Sequence, residues 1–351
     1  MRKRIKRSLL FSLEKANLGK KNILNELWEE YSNALACFVD WGYYYGKLPD
    51  YGLIKRYPLP TKLNARYLGR ILLEARHILK SVFKKEKNSK PKVKNTNLKL
   101  DSRLAVLEKG QNSFDYWFKI RIPWLQKWIY YPIRNYEYAK KYSDWELCSN
   151  VELLKRNGKW FLKLIFEKEM ILESKKPVGV DIGFRKLITT SDGDVIGKKL
   201  PNLINQIDSK KQGSKKWKRT KHFLKTEINR WIKGFIDGTF SPVLEKLKNL
   251  KKNKRGKWSK AVNRKFNNWI YSYVLKRIRE LCEVAGVLHY IVPPQNTSRT
   301  CPRCGLVDKR NRSGELFRCI NCGFEADADW VGAHNILQKF LTTQKHNERF
   351  P

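Results

Sequence analysis

Apolar residues recur at helical spacing from Lys21 to about Tyr45, where Ile23, Leu24, Leu27, Tyr31, Leu35 and Phe38 share one face. The pattern predicts a helix over that stretch. Pro49, Gly52, Pro58 and Pro60 form a turn cluster after it. A second helix is expected from Leu63 to Phe83, with Leu68, Ile71, Leu72, Ala75, Ile78 and Leu79 on its apolar face. Residues 4–13 alternate loosely and read as a first strand. Strand signals dominate from about Leu104 to Glu173, where WFKIRIPW at Trp117–Trp124 and WFLKLIFEK at Trp160–Lys168 alternate apolar with polar positions. Asn157-Gly158, just before the second run, is a two-residue hairpin signal.

Beyond Pro177 the pattern changes. Val178-Gly179-Val180-Asp181-Ile182-Gly183 is an apolar strand with an acid between glycines. Leu187 to Ile196 reads as a hairpin turning at Ser191–Asp194. Helical runs follow at about Lys216–Phe235 and Arg264–Ala285, and Val287–Val292 is a short strand. No internal repeat at solenoid periods is visible.

Charge then narrows the function. The 351 residues hold 74 Lys+Arg against 33 Asp+Glu, a formal net charge of +41. Such an excess repels itself in a compact chain and has no use in an ordinary enzyme of small molecules; it expects a polyanion. With 41% hydrophobic and 13% aromatic residues, the chain is not disordered throughout. No apolar run approaches the roughly 18 residues of a membrane span, and Glu14 and Lys15 end the apolar start too early for a signal peptide. No membrane partner and an intracellular location are therefore expected. Much of the charge lies in three acid-poor segments. Lys80–Lys99 has eight lysines against one glutamate, Lys210–Lys221 seven Lys/Arg and no acid, and Lys246–Lys265 ten and no acid. The first reads as a mobile basic loop. Trp217, among Lys215, Lys216, Lys218 and Arg219, and Trp258, near Lys254, Arg255 and Lys257, are placed either to stack on unpaired bases or to anchor a basic face to the core.

The cysteines divide into two sets. Cys37, Cys148 and Cys282 stand alone and read as buried small hydrophobes. Cys301-Pro-Arg-Cys304-Gly and Cys319-Ile-Asn-Cys322-Gly are near-identical knuckles, 14 residues apart. Two residues between thiolates let both face one tetrahedral ion, and the following glycine relieves the turn. One structural zinc is expected, in a site closed by four sulfurs. The ribbon's rim, with Arg299, Arg303, Lys309, Arg310, Arg312 and Arg318, offers charge to phosphates.

Acids are scarce, so their positions matter. Asp181 ends an apolar strand, and Asp327 and Asp329 stand where a helix opens after the second knuckle. One of the latter pair is expected as a helix cap. In so basic a chain, these carboxylates suggest phosphodiester hydrolysis by two hard cations, and Mg²⁺ prefers oxygen ligands. His222, His289 and His334 are isolated and read as structural or surface groups.

VGVDIG, an acid within LEKL, SRTCPRCG, FRCINCGFEADAD and GAHNI, in that order, resemble the C-terminal half of the transposon-encoded TnpB nucleases, which miniature type V CRISPR effectors share. The likeness covers about Pro177 to Phe340; the N-terminal half matches in outline only. It implies an α/β multidomain fold, with an RNase H-like (RuvC) nuclease domain into which a zinc ribbon is inserted. A β-barrel wedge domain interrupted by a helical recognition domain is implied before it. The corresponding boundaries are 1–20 and 101–175 for the wedge, 21–100 for the recognition domain, 176–295 and 326–351 for the nuclease, and 296–325 for the ribbon. The resemblance implies Asp181, Glu245 and Asp329 as catalytic acids holding two Mg²⁺, with Glu227 as an alternative to Glu245 and Asp327 competing with Asp329. Two departures stand out: Lys246 follows the glutamate where the family has an acid, and Val331 replaces an asparagine. Pro242 also weakens the strand before Glu245. The implied partners are a guide RNA, with one chain per guide, and target double-stranded DNA; the basic segments offer Lys215, Lys216, Trp217, Lys218, Arg219, Lys254, Arg255, Arg299, Arg303 and Arg318 as nucleic-acid contacts. The setting is a prokaryotic cytoplasm, at the nucleoid when on DNA. Three alternatives remain: a miniature CRISPR effector, a nuclease-inactive guided repressor, or a zinc-ribbon RNA-binding protein without a guide.

Overall fold

The computed structural model describes residues 1–84, 89–93, 96–110, 113–246 and 271–349. It divides into two compact units, Arg4–Lys168 and Met1–Lys3 with Glu169–Pro351.

The first unit builds a helical pair and two sheets. β1 (Arg2–Ser12) leads into α1 (Leu18–Tyr45), where Asn17 accepts a hydrogen bond from the Lys20 N–H and Gly46 closes the helix at φ 63°. α2 (Tyr51–Arg56) is a single short helix, and α3 (Ala65–Phe83) starts with Asn64 accepting from the Tyr67 N–H. The expected face of α3 is the buried one, with Leu68, Ile71, Leu72, Ala75 and Leu79 in the core and Ile78 against it. Strands β2 (Leu98–Leu100), β3 (Ala105–Lys109), β4 (Tyr116–Ile122) and β5 (Lys127–Ile133) follow, then α4 (Glu137–Lys140), β6 (Glu146–Leu147), β7 (Val151–Arg156) and β8 (Lys159–Ile171). One sheet runs β1-β8-β7-β2 with β6 also on β8, and β3-β4-β5 forms the other. The β7–β8 hairpin turns at Asn157 and Gly158, both at positive φ (48° and 76°), as the asparagine–glycine pair requires.

β2 corrects the reading of Lys80–Lys99 as a basic loop. Leu98 and Leu100 are fully buried on β7, while Lys99 points away and pairs with Glu74 at 3.2 Å. Residues 85–88 and 94–95 of that stretch lie outside the described residues.

The second unit is a layered α/β assembly. Its elements are β9 (Lys176–Asp181), β10 (Ile188–Thr190), β11 (Val195–Ile196), α5 (Leu200–Asp208), α6 (Lys215–Phe235), β12 (Phe240–Glu245), α7 (Tyr271–Val284), β13 (Tyr290–Val292), β14 (Arg312–Ser313), β15 (Leu316–Arg318), β16 (Glu325–Asp327) and α8 (Ala328–Arg349). The larger sheet has the order β11-β10-β9-β12-β13, antiparallel as far as β9 and parallel beyond it. Alternation along the strands sends Val180 and Leu244 into a core with Leu224, Ile228 and Ile232 of α6 and Val274 and Ile278 of α7. On the opposite face Val243 and Val292 pack against Ile336 of α8. Pro242 is tolerated because β13 pairs with β12 only from Val243 onward.

β9 and α8 approach very closely. A Cβ on Gly179 would lie 2.0 Å from the Ala333 carbonyl oxygen, and backbone cannot yield as a side chain can. Gly179→Ala should therefore cost about 1–3 kcal/mol or more, as overpacking does, read as a lowered urea midpoint of the purified chain.

Candidate metal centres

Asp181 and Glu245 leave the sheet together. β9 and β12 run parallel with Val180 opposite Leu244, so the next residue of each emerges at the same carboxyl edge, where α/β sheets place their sites. Gly332 of α8 faces Asp181, and a Cβ there would lie 3.2 Å from Asp181 Oδ2. Asp329, one helical turn earlier, is buried.

The two acids at the start of α8 have different partners. Asp327 accepts the backbone N–H groups of Asp329 and Trp330, both at 3.0 Å, and pairs with Lys186. It is the cap. Asp329 is instead gripped by Arg312 at 2.7 Å, with Lys186 at 3.8 Å. Arg312, read from the sequence as part of the ribbon's rim, stands on β14 and directs its guanidinium to this acid. Nothing in the pattern signalled Lys186 or Arg312 as partners of Asp329, because both contacts are made across the fold.

Electrostatics tie the three acids together. Burial, then the neighbouring charges of Glu245 and Asp329, push the Asp181 carboxyl up to about 7, against the pull of Arg312. Burial also raises Glu245, opposed by the Thr297 hydroxyl and by Lys339 and Arg312. Glu227 lies on α6, ion-paired with Arg230, and is not among the charges that raise Asp181. Arg312, Lys186 and Lys339 offset only part of the charge gathered at this buried edge, since burial and neighbouring acids still raise Asp181. Carboxylate oxygens are donors of the kind hard cations such as Mg²⁺ take, but among the described residues only the cysteines bring three or more metal-ligating side chains within 4.8 Å of one another.

The cysteine cluster is a separate centre. All four sulfurs of Cys301, Cys304, Cys319 and Cys322 lie within 4.8 Å of one another, with Cys301–Cys322 and Cys304–Cys319 both at 3.6 Å. A tetrahedral zinc with bonds of about 2.3 Å sets sulfurs roughly 3.8 Å apart, so the cluster can hold zinc. The knuckles repeat one hydrogen-bond pattern. Gly305 N–H donates to the Cys301 carbonyl and Gly323 N–H to that of Cys319, with both glycines at positive φ (75° and 68°). The Leu306 N–H, then the Asn321 amide, draw the Cys304 thiol down to about 6, favouring the thiolate a metal needs. Of the lone cysteines, Cys282 is buried, Cys148 half-buried, and Cys37 exposed against expectation. Cys37 belongs to α1, whose buried face passes through its neighbours Leu35, Phe38 and Val39 and leaves its own position outside.

Lys215, Lys216, Lys218 and Arg219 are exposed in the first turns of α6, and Trp217 packs against the core with Lys221 over its ring at 4.6 Å. Arg299, Arg303 and Arg318 are exposed on the ribbon segment; Arg303 lies over Phe324, and Arg318 is 3.6 Å from Glu325. Lys254, Arg255 and Trp258 lie outside the described residues. His334 stacks on Trp330, and burial lowers His289. No described helix is long and apolar enough to cross a membrane.

Residues 271–336, from α7 through the cysteine cluster into α8, match the family model of the Cas12f1-like TNB domain. Over part of its length the chain is similar to TnpB-like and Cas12f1 proteins. It is 26% identical over 220 residues to the CRISPR-associated endodeoxyribonuclease Cas12f1 of Sulfoacidibacillus thermotolerans, covering 52% of this chain and 50% of that protein. It is 30% identical over 189 residues to a TnpB-like protein of Aquifex aeolicus (strain VF5), covering 53% and 55%. The chain thus spans about half the length of the curated relatives it matches. A cryo-EM structure of the Cas12f1–sgRNA–target DNA complex has the same mixed α/β fold, with a TM-score of 0.60 at 16% identity over 91% of this chain and 83% of that chain.

Proposed function

We propose that the chain is an RNA-guided DNA endonuclease of the TnpB type. One observation carries the reading. Acids from two adjacent parallel strands and one helix meet at a single sheet edge, and the cysteine ribbon lies in the chain between the second and the third. In this reading the second unit is an RNase H-like (RuvC) domain, spanning 176–295 and 326–351 with the ribbon at 296–325. Its sheet order, antiparallel up to β9 and then parallel, with helices on both faces, supports that assignment. Residues 1–20 and 101–175 form the wedge around the recognition helices of 21–100.

Asp181, Glu245 and Asp329 would hold two Mg²⁺, which when bound activate water and stabilise the leaving oxygen of a phosphodiester. Arg312 and Lys186 orient Asp329, and they set positive charge beside the position of the scissile phosphate. The exposed start of α6 and the ribbon arginines track nucleic-acid backbone, so binding weakens steeply with salt. Guide pairing reads sequence, while the protein reads shape and a short flanking motif. One chain sits on one guide, in a prokaryotic cytoplasm.

The chain purified from cells expressing its native locus should carry a discrete RNA, and with Mg²⁺ it should cut DNA matching that RNA. Retained RNA without cutting would point to a guided binder. The absence of any discrete RNA rules out the guided mechanism altogether.

A further inference from the structure

We infer that Thr297 is a positioning residue for the middle acid, fixing the Glu245 carboxylate where a divalent cation is bound. The inference rests on the assignment of Glu245 as a metal ligand and goes beyond it, because it names what holds that ligand in place.

A glutamate at the end of a strand has three rotatable bonds, and nothing in β12 itself fixes its carboxylate. Thr297 does. It is 4% exposed, and its hydroxyl donates to Glu245 Oε1. A hydroxyl has one proton to give. The second acceptor within reach, the Pro294 carbonyl at 3.3 Å, is neutral and farther away, so the proton goes to the carboxylate. The β-branch of threonine restricts its first side-chain torsion, which makes it a stiffer donor than serine.

Thr297 is itself held by α8. The segment from Pro293 to Thr300, between β13 and the first knuckle, crosses that helix as a strap. Asn335, buried on α8, donates one amide hydrogen to the Thr297 carbonyl and the other to that of Thr300, both at 2.8 Å. Lys339, one turn on, donates to the carbonyls of Pro293 at 3.2 Å and Gln295 at 2.6 Å. Four strap carbonyls are therefore tied to the helix that carries Asp329. Asn296 takes a positive φ of 61°, and its carbonyl accepts the N–H groups of Arg299 at 3.0 Å and Thr300 at 3.1 Å. The Tyr271 hydroxyl donates to the Glu245 backbone carbonyl at 3.2 Å, so the main chain at this residue is anchored separately from its carboxylate. Through the strap, the middle and final acids share one support.

Partners that orient a metal ligand change cation affinity by about 10–100-fold when removed. The test is a Mn²⁺ titration of the full chain, freed of nucleic acid by high salt, with free Mn²⁺ read by electron paramagnetic resonance. Thr297→Val deletes the hydroxyl and keeps the shape, Thr297→Ala deletes it with less bulk, and Thr297→Ser keeps it; Glu245→Gln is the reference. Zinc content and thermal melting establish that each variant is folded. Val and Ala should each weaken Mn²⁺ binding by about 10-fold or more, with Ser restoring it. If Glu245→Gln loses Mn²⁺ while folded Val and Ala variants bind like the parent, Thr297 has no positioning role and the acid assignment stands. If Glu245→Gln also binds like the parent, the assignment of Glu245 fails and the inference falls with it.

Discussion

Asp181→Asn is expected to abolish cleavage, lowering the single-turnover rate by about 10³-fold or more while leaving RNA retention unchanged. Asp181 stands where the charges of Glu245 and Asp329 converge, so on the proposed assignment losing its carboxylate removes a ligand that no neighbour on β9 replaces. Metal-centred charge stabilisation is worth several kcal/mol, and every 1.36 kcal/mol is tenfold in rate. A variant that still cuts at the parental rate would place the chemistry elsewhere.

The same residue predicts a pH signature. In the metal-free protein its carboxyl is raised from 3.8 to about 7. The folded chain therefore holds the proton more tightly than the unfolded one. The stability this contributes is complete below pH 3.8 and lost as pH rises through about 7. Asn never ionises, so Asp181→Asn should gain stability over the parent on going from about pH 5 to above 7, by roughly 3 kcal/mol as an upper figure. Added Mg²⁺ should shrink that gap by favouring the ionised parent, and the Mg²⁺ needed for cleavage should rise as pH falls below about 7. Denaturation midpoints of the two proteins with and without Mg²⁺ measure the effect. A gap that does not vary with pH would refute the crowded-carboxylate account.

Cys319→Ser should have the second large effect, through the ribbon. Zinc content should fall from one equivalent per chain to near none, and residues 296–325 should become sensitive to protease. Structural zinc contributes about 10–16 kcal/mol in small zinc-binding peptides, as much as the whole stability of a typical domain of roughly 5–15 kcal/mol. The ribbon sheet β14-β15-β16 has a core of only a few residues, with Phe317, Ala328 and Val331 beside the cysteines, and cannot replace it. The packed layer of α6, α7 and the larger sheet rests on other residues and should remain folded. Cleavage should nonetheless be lost, because Arg312 on β14 is what grips Asp329. A parental chain holding well under one zinc would overturn the assignment of the cluster.

Much of this architecture is legible in the chain, and the exceptions share a cause. α1, α3 and the β7–β8 hairpin are local: helical spacing in one case and Asn157-Gly158 in the other carry the information within a few residues. The four cysteines announce their cluster because CxxC leaves thiolates few other arrangements. β2 was hidden, since lysines around Leu98 and Leu100 made charge louder than alternation. α5 is not among the elements the sequence predicts: Pro201 and two asparagines interrupt its apolar spacing, yet proline fits the first turn of a helix. At the acids, sequence order singles out candidate carboxylates but not their partners. Lys186, Arg312 and Thr297 reach Asp329 and Glu245 across 143, 17 and 52 positions, and no periodicity records such contacts.

The junction between β16 and α8 has a mechanical consequence. Asp327 closes the strand, Ala328 opens the helix, and no residue intervenes. Asp327 also caps that helix through two backbone N–H groups, which stiffens the bend. Ribbon and helix therefore form a lever without a hinge. Any rotation of the ribbon would be passed to the first turn of α8, with the carboxylate of Asp329 as the short arm.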